Sequence, residues 1–285
     1  MRHRFVRLDK LIVDRKLLES RTLAQEYIEA GRVTVEGLSA VKPASQVSPE
    51  VSIKIDAPEK VWVSRGAHKL LRAVEAFHLN IEGKTCLDIG ASTGGFTDVL
   101  LYYGAAKVYA VDVGYGQLAW KLRNDNKVVV MERTNARFLT IDMLNDEKAD
   151  IIVSDASFIS LKLLLPTLQN LLKDDGIMTV LVKPQFEVGR ERVGNGVITD
   201  SNLHYDVLNE LSSFIKESTS LLLIDATFSP IRGPEGNIEF LFLMGLASGT
   251  KKTPQDLDFK LLAEEAKKLT EASEHEDRTM SYGNK

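Results

Sequence analysis

Apolar and polar positions change period along the chain. Leu8, Leu11 and Ile12 within Arg7–Val13 repeat at helical spacing, and Asp14-Arg15-Lys16 closes the segment. Ser20–Gly31 reads as a second complete helix: Ser20 is the N-cap, Leu23, Tyr27 and Ile28 share a face, and Gly31 ends it. Val33–Val35 is a short strand, Glu36-Gly37 a turn, and Val51–Ile55 alternates as a half-buried strand does. A third helix-period stretch follows from Arg65 to Phe77, with Ser64 as its expected cap. Beyond it, apolar runs at Thr85–Ile89, Lys107–Val111, Val128–Glu132, Asp150–Ser154 and Ile177–Val182 alternate with helical patterns such as Thr97–Tyr103, Tyr115–Leu122 and Leu161–Leu172. That alternation predicts a parallel sheet with helices on both faces. Leu221–Phe228 and Ile238–Met244 are joined by a loop with no helical pattern, which predicts a closing antiparallel hairpin. A charged helix is expected over about Pro254–Ala272, then a polar tail. The expected organisation is a small domain over 1–56, a linker over 57–63, a large domain over 64–249 and a C-terminal helix and tail over 250–285.

Composition narrows the classes. The chain has 285 residues, of which 44% are hydrophobic, enough for a sizeable core. One cysteine, Cys86, cannot form an internal disulfide and reads as a small core residue, so a cytoplasmic location is expected. No sustained apolar segment follows the basic N-terminus and no run of ~18 apolar residues occurs, so neither a signal peptide nor a spanning helix is expected. The net charge of −4 hides an asymmetry: residues 1–24 hold seven Lys/Arg against three acids. A basic end on an acidic protein points to a polyanion partner.

The chemistry centres on Cys86-Leu87-Asp88-Ile89-Gly90-Ala91-Ser92-Thr93-Gly94-Gly95-Phe96, a strand running into a glycine turn and a helix, with the next strand ending at Asp112. Glycines permit close backbone approach to a ligand, and an acid at the next strand end suits ribose hydroxyls. The spacing departs from the dinucleotide fingerprint and lacks the Lys-Ser/Thr of a phosphate loop. "LDIGASTGGFT" resembles the first motif of S-adenosylmethionine-dependent methyltransferases of the FtsJ type. The closing hairpin agrees with their seven-stranded α/β fold rather than with a dehydrogenase sheet. The cofactor-binding candidates are Asp88, for the amino and sulfonium groups, Gly90, Ser92, Gly94, Gly95 and Phe96 in the turn, Asp112 for the ribose and Asn135 for the adenine edge.

"RLDKLI", "SRTLAQEYIEAGRVTVEG" and "VSIKI" resemble the S4 RNA-binding domain, a small α+β fold. Carried over by position, Arg7, Lys10, Arg15, Lys16, Arg21 and Arg32 are the RNA-facing candidates, suited to phosphate contacts.

Lys69 lies early in the helix before the first large-domain strand, Asp155 and Lys183 end two parallel strands, and Glu239 begins the last strand. Strand polarity brings Asp155, Lys183 and Glu239 to one sheet edge, within reach of Lys69. Lys-Asp-Lys-Glu in this order resembles the tetrad of FtsJ-type 2′-O-methyltransferases. A ribose 2′-hydroxyl is a poor nucleophile, and Lys183 is the candidate to assist its deprotonation. Lys69 would place the hydroxyl, and Asp155 and Glu239 would orient the lysines, with no metal. Phe158 and Phe186 are candidates for stacking on a base, and Arg190 and Arg232 for phosphate contact. Trp62 is expected to pack the linker and Trp120 to pack a helix.

An S4-like domain, a linker and an FtsJ-like domain together resemble the TlyA (hemolysin A) family, carried also by "VSRGAHKL", "DASFISL", "LVKPQFE" and "SPIRGPEGNIEFL". The resemblance implies S-adenosylmethionine-dependent 2′-O-methylation of ribosomal RNA, typically at cytidine, with ribosomal RNA or a ribosomal subunit as partner and no membrane. The alternatives are an RNA-binding assembly protein with an inactive methyltransferase domain, and a haemolysin. An S4-containing pseudouridine synthase is disfavoured, because its chemistry needs no such glycine turn.

Overall fold

The computed structural model describes residues 5–15, 17–18, 20–40, 42–56, 60–188 and 196–268. Lys16, Arg190 and the end of the expected C-terminal helix (269–272) lie outside them. The chain divides into two compact units, Met1–Val61 and Trp62–Lys285. The division assigns Trp62 and Val63 to the second unit, where Trp62 stands edge-on to Tyr102 at 5.4 Å.

In the first unit, strand β1 (Val6–Arg7) leads into α1 (Leu8–Asp14), followed by α2 (Arg21–Glu29), β2 (Val33–Val35), β3 (Leu38–Ser39), β4 (Gln46–Val47) and β5 (Ile53–Ile55). Ser20 caps α2 as expected, its side chain accepting from Leu23 N at 3.2 Å. Leu8, Ile12, Ala24, Ile28 and Val33 form a small core under the β3-β2-β5 sheet. β2 and β3 close through Glu36-Gly37, both at positive φ (50° and 80°), the two-residue turn whose twist suits a hairpin.

The second unit contains α3 (Ala67–Phe77), β6 (Thr85–Ile89), α4 (Gly95–Tyr102), β7 (Lys107–Val111), α5 (Trp120–Arg123), β8 (Val128–Met131), β9 (Ala149–Ser154), α6 (Leu161–Leu168), β10 (Leu172–Val182), α7 (Pro184–Glu187), α8 (Ser201–Ser218), β11 (Leu221–Phe228) and β12 (Phe240–Leu246). They form a seven-stranded sheet in the order β11-β12-β10-β9-β6-β7-β8. β6 to β10 run parallel, and β12 inserts antiparallel between β10 and β11. All seven residues of β12 are buried, which explains their unbroken apolar run. The expected α/β architecture with an antiparallel end hairpin is therefore present.

Several local expectations are corrected. Ser64 does not cap α3 with its side chain, because Gly66 occupies the cap position in a helical conformation. The expected helix Tyr115–Leu122 shrinks to the four residues of α5. Ahead of it, Gly114 N and Gly116 N donate to the Asp112 and Glu132 carboxylates instead of to a helical ladder. Trp120 is 77% exposed and packs no helix interior. Glu239 precedes β12 rather than beginning it. The expected C-terminal helix begins at residue 259 rather than at Pro254, and it is helical over the described residues 259–268, with Phe259, Ala263 and Ala266 buried against the core. The Phe259 ring stacks on Phe242 at 5.8 Å.

One buried group makes the second unit sensitive to acid. His204, on α8, is fully buried and edge-on to Phe240, and burial pushes its pKa below the usual 6.5. Asp200, Lys267 and Arg232 are the charged groups that act on it. The unfolded chain binds the proton first as pH falls. The contribution of neutral His204 is therefore complete above about 6.5 and is lost as pH drops towards the folded value. Thermal unfolding is expected to drop more steeply with pH below 6.5 in the parent than in His204→Leu. Equal slopes would rule His204 out as the cause.

Candidate active site

Four charged side chains meet at the carboxyl edge of the sheet. Lys69 is on the first turn of α3, Asp155 directly follows β9, Lys183 follows β10 and Glu239 precedes β12. Lys69 Nζ lies 3.2 Å from Asp155 Oδ2 and 2.7 Å from Glu239 Oε2, and Lys183 Nζ lies 2.6 Å from Asp155 Oδ1. All four expected tetrad residues thus converge. Lys69, Lys183 and Glu239 are buried, so two cations and two anions compensate one another where isolated charges would be costly. Burial pushes the Glu239 pKa up, against the opposing pull of Lys69 and Lys183. Lys183 also donates to Ser157 Oγ at 2.7 Å and to the Asp155 carbonyl at 3.2 Å. Asp155 Oδ1 balances the Lys183 charge as an ion pair, in addition to these two hydrogen bonds.

Two adjoining clefts open beside the tetrad. The larger, about 520 Å³, is lined by Ile89, Val111, Val113, Ala136, Ile159 and Leu164 on apolar walls, with Asp112, Asn135, Asp155 and Ser157 among its polar groups. Asp112 accepts from Ser92 N at 2.8 Å and from Gly114 N at 2.7 Å, so its carboxylate is fixed at the cleft wall. Asn135 uses its side-chain oxygen to cap the following turn, accepting from Arg137 N at 3.0 Å, which leaves its amide N–H groups for a ligand. The smaller cleft, about 180 Å³, is lined by Ser64, Arg65, Gly66, Lys69, Ser92, Gly95, Phe96 and Pro234.

Two glycines set the spacing. Gly90, at φ +80°, meets the backbone of Ala156, where a Cβ would stand 3.0 Å from both N and Cα. A Cβ on Gly95 would stand 2.4 Å from Ser64 Oγ and 3.0 Å from Ala67 N. Only glycine lets the turn lie this close to the Asp155 loop and to the segment entering α3. Gly94, at φ +96°, packs against Leu118 and Leu122 rather than lining either cleft.

Asp88 departs from its expected role. It is fully buried beneath the turn, lines neither cleft, and accepts from Thr97 Oγ1 at 2.6 Å. Burial pushes its pKa up to about 7. It braces the turn against α4 instead of facing a ligand. Ser64, Arg65, Thr134, Ser157 and Pro234 line the clefts but were absent from the sequence-derived candidates. "VSRGAHKL" and "DASFISL" contain three of them, and the contacts that single them out are made across the fold.

Phe158 is 87% exposed at φ +64° and lines the larger cleft, its ring 5.1 Å from that of Phe186. Cys86 is buried, as expected, and burial with the nearby Asp150 and Asp88 carboxylates pushes its thiol up to about 12.

In the first unit, the RNA-facing candidates have varied surroundings. Arg7 and Arg21 both pair with Asp9, at 2.8 and 2.9 Å. Arg15 donates to the Val51 carbonyl at 2.6 Å and also to that of Pro49. Lys10 is 4.0 Å from Asp14, and the Arg32 guanidinium lies 5.9 Å from the Tyr27 ring centre.

Comparison with known proteins agrees with this construction. The FtsJ-like methyltransferase model matches residues 62–246, and the S4 domain model matches residues 6–53. The 16S/23S rRNA (cytidine-2′-O)-methyltransferase TlyA of Mycobacterium tuberculosis is 48% identical over 239 residues, 83% of this chain and 88% of its own length. Hemolysin A of Brachyspira hyodysenteriae is 44% identical over 237 residues, 83% of this chain and 98% of its own. A solved Streptococcus thermophilus structure that carries the name hemolysin is 38% identical. It superposes with a TM-score of 0.71, covering 96% of this chain and 99% of that one. With the match spanning the whole sheet and tetrad, the chain belongs to the FtsJ-like methyltransferase family, with an S4 domain ahead of the catalytic unit.

Proposed function

We propose that this protein transfers a methyl group from S-adenosylmethionine to a ribose 2′-hydroxyl of ribosomal RNA, at cytidine. The observation that carries the reading is the Glu239–Lys69–Asp155–Lys183 cluster beside a cleft with apolar walls and a fixed carboxylate, Asp112. The name of the Mycobacterium tuberculosis relative supports the substrate and the cytidine.

The cleft residues fit the donor. Val111, Val113, Ala136 and Ile159 offer an apolar slot for the adenine, the Asn135 amide faces its edge, and Asp112 takes the ribose hydroxyls. The smaller cleft, lined by Ser64, Arg65 and Gly95, takes the amino-acid end. When bound, S-adenosylmethionine supplies an electrophilic methyl carried on a sulfonium. The chain's own residues do the rest. Lys69 pairs with both tetrad carboxylates and directs an N–H to the acceptor oxygen. Lys183 takes the hydroxyl proton at Nζ, as the neutral amine formed when its ammonium yields a proton through the exposed Ser157 hydroxyl. Asp155 and Glu239 hold both lysines in place. Much of the acceleration comes from holding donor and acceptor at near-attack distance. Phe158 is placed to stack on the target base, and the S4 unit supplies salt-dependent affinity for the phosphates.

The test is transfer of labelled methyl from S-adenosylmethionine to ribosomal RNA, with the product mapped by mass spectrometry. A 2′-O-methylcytidine formed only with the protein present is the expected result. Label on a base, or none on any ribosomal RNA substrate, would overturn the reading.

A further inference from the structure

We propose that Asp9 is a positioning residue for RNA: its buried carboxylate gathers Arg7 and Arg21 into one preformed fork that takes a backbone phosphate. The inference rests on the RNA-binding reading above and adds a residue to it. Asp9 lies in the first turn of α1 yet is fully buried, and a buried carboxylate needs strong partners. It has four donor contacts. Arg7 grips it with Nε at 3.1 Å and Nη2 at 2.8 Å, Arg21 Nη2 lies at 2.9 Å, and Gln25 Nε2 at 3.0 Å. These donors come from three places: the strand before α1, the first residue of α2, and the next turn of α2.

The consequence lies in the arginines. Both guanidiniums share the Oδ2 oxygen, so two cations that repel each other are held no further apart than two hydrogen-bond lengths. Arg7 spends one edge on Asp9, and Arg21 a single N–H. Their side chains are 42% and 52% exposed, leaving the other N–H groups turned outward. The fork carries a net positive charge and planar donors, which match a phosphate. Rotamer freedom that RNA would otherwise have to remove is already lost in the free protein.

The proposal opposes simple electrostatics, which says that removing an acid beside cations tightens RNA binding. The test uses the full chain, in-vitro transcribed 16S and 23S ribosomal RNA, and binding measured across a salt series. Asp9→Asn is expected to weaken binding about tenfold and to make the log–log salt slope shallower by about one to two. Asp14→Asn changes the charge equally on the same helix but away from the fork, and is expected to bind at least as tightly as the parent. If Asp9→Asn loses the fold by circular dichroism, Arg21→Lys decides. It keeps the charge and loses the planar fork, and is expected to bind more weakly at an unchanged melting temperature. If Asp9→Asn binds with the parent's affinity and slope, or Arg21→Lys in its place with the parent's affinity, the proposal is overturned. If the parent itself binds neither RNA, it is the RNA-binding reading that fails.

Discussion

Replacing Lys183 with alanine is expected to lower the rate of methyl transfer by about 10³-fold, within the range that a proton-transferring side chain supplies. Cofactor affinity should not change, because Lys183 lines neither cleft. The fold should survive, since Asp155 keeps Lys69 as its partner. Single-turnover transfer of labelled methyl, paired with equilibrium binding of the donor, separates these effects. Full rate in Lys183→Ala would remove Lys183 from the mechanism. Lost donor binding would mean instead that the residue supports the cleft.

Asp155→Asn should have the larger combined effect. Among the described residues, Asp155 is the one carboxylate that touches both lysines, with Oδ2 facing Lys69 and Oδ1 facing Lys183. An amide keeps the shape and removes the charge, leaving Glu239 to balance two buried ammoniums. Breaking a fully buried pair costs about 3–5 kcal/mol; with Asp155 partly exposed, about 2 kcal/mol is expected, roughly 4–8 °C in melting temperature. Activity should fall about 10³-fold as both lysines lose their orientation. Both readouts belong at temperatures where the variant is folded. A variant that is as stable and as active as the parent would show that the lysines are held by other groups.

The sequence carried the elements whose signal is local. The apolar strands, the glycine turn and the hairpin loop are each legible because strand burial and backbone freedom act over a few residues. Strand polarity placed Asp155, Lys183 and Glu239 at one edge, and the resemblance to the FtsJ-type tetrad joined Lys69 to them. What escaped depends on distant partners. Tyr115–Leu122 has a helical pattern, but the Asp112 and Glu132 carboxylates capture the amides of Gly114 and Gly116. Asp88 sits where an acid is expected to face a ligand, yet Thr97 on α4 turns it inward. Ser157 looks like an ordinary loop serine until Lys183 arrives from another strand. Arg7 and Arg21 read as independent surface cations, and only the fold shows that one buried acid joins them.

The insertion of β12 between β10 and β11 also makes the charged cluster depend on a late segment of the chain. Lys69 and Asp155 are 86 residues apart, and Glu239 is supplied only by the segment entering β12. A nascent chain released only as far as β10 holds three of the four charged groups and leaves the β10 edge unpaired. Contacts of such long sequence separation form late because their loop-closure entropy must be met first. Ribosomes stalled before residue 239 would therefore carry a chain that lacks one of the four clustered charges.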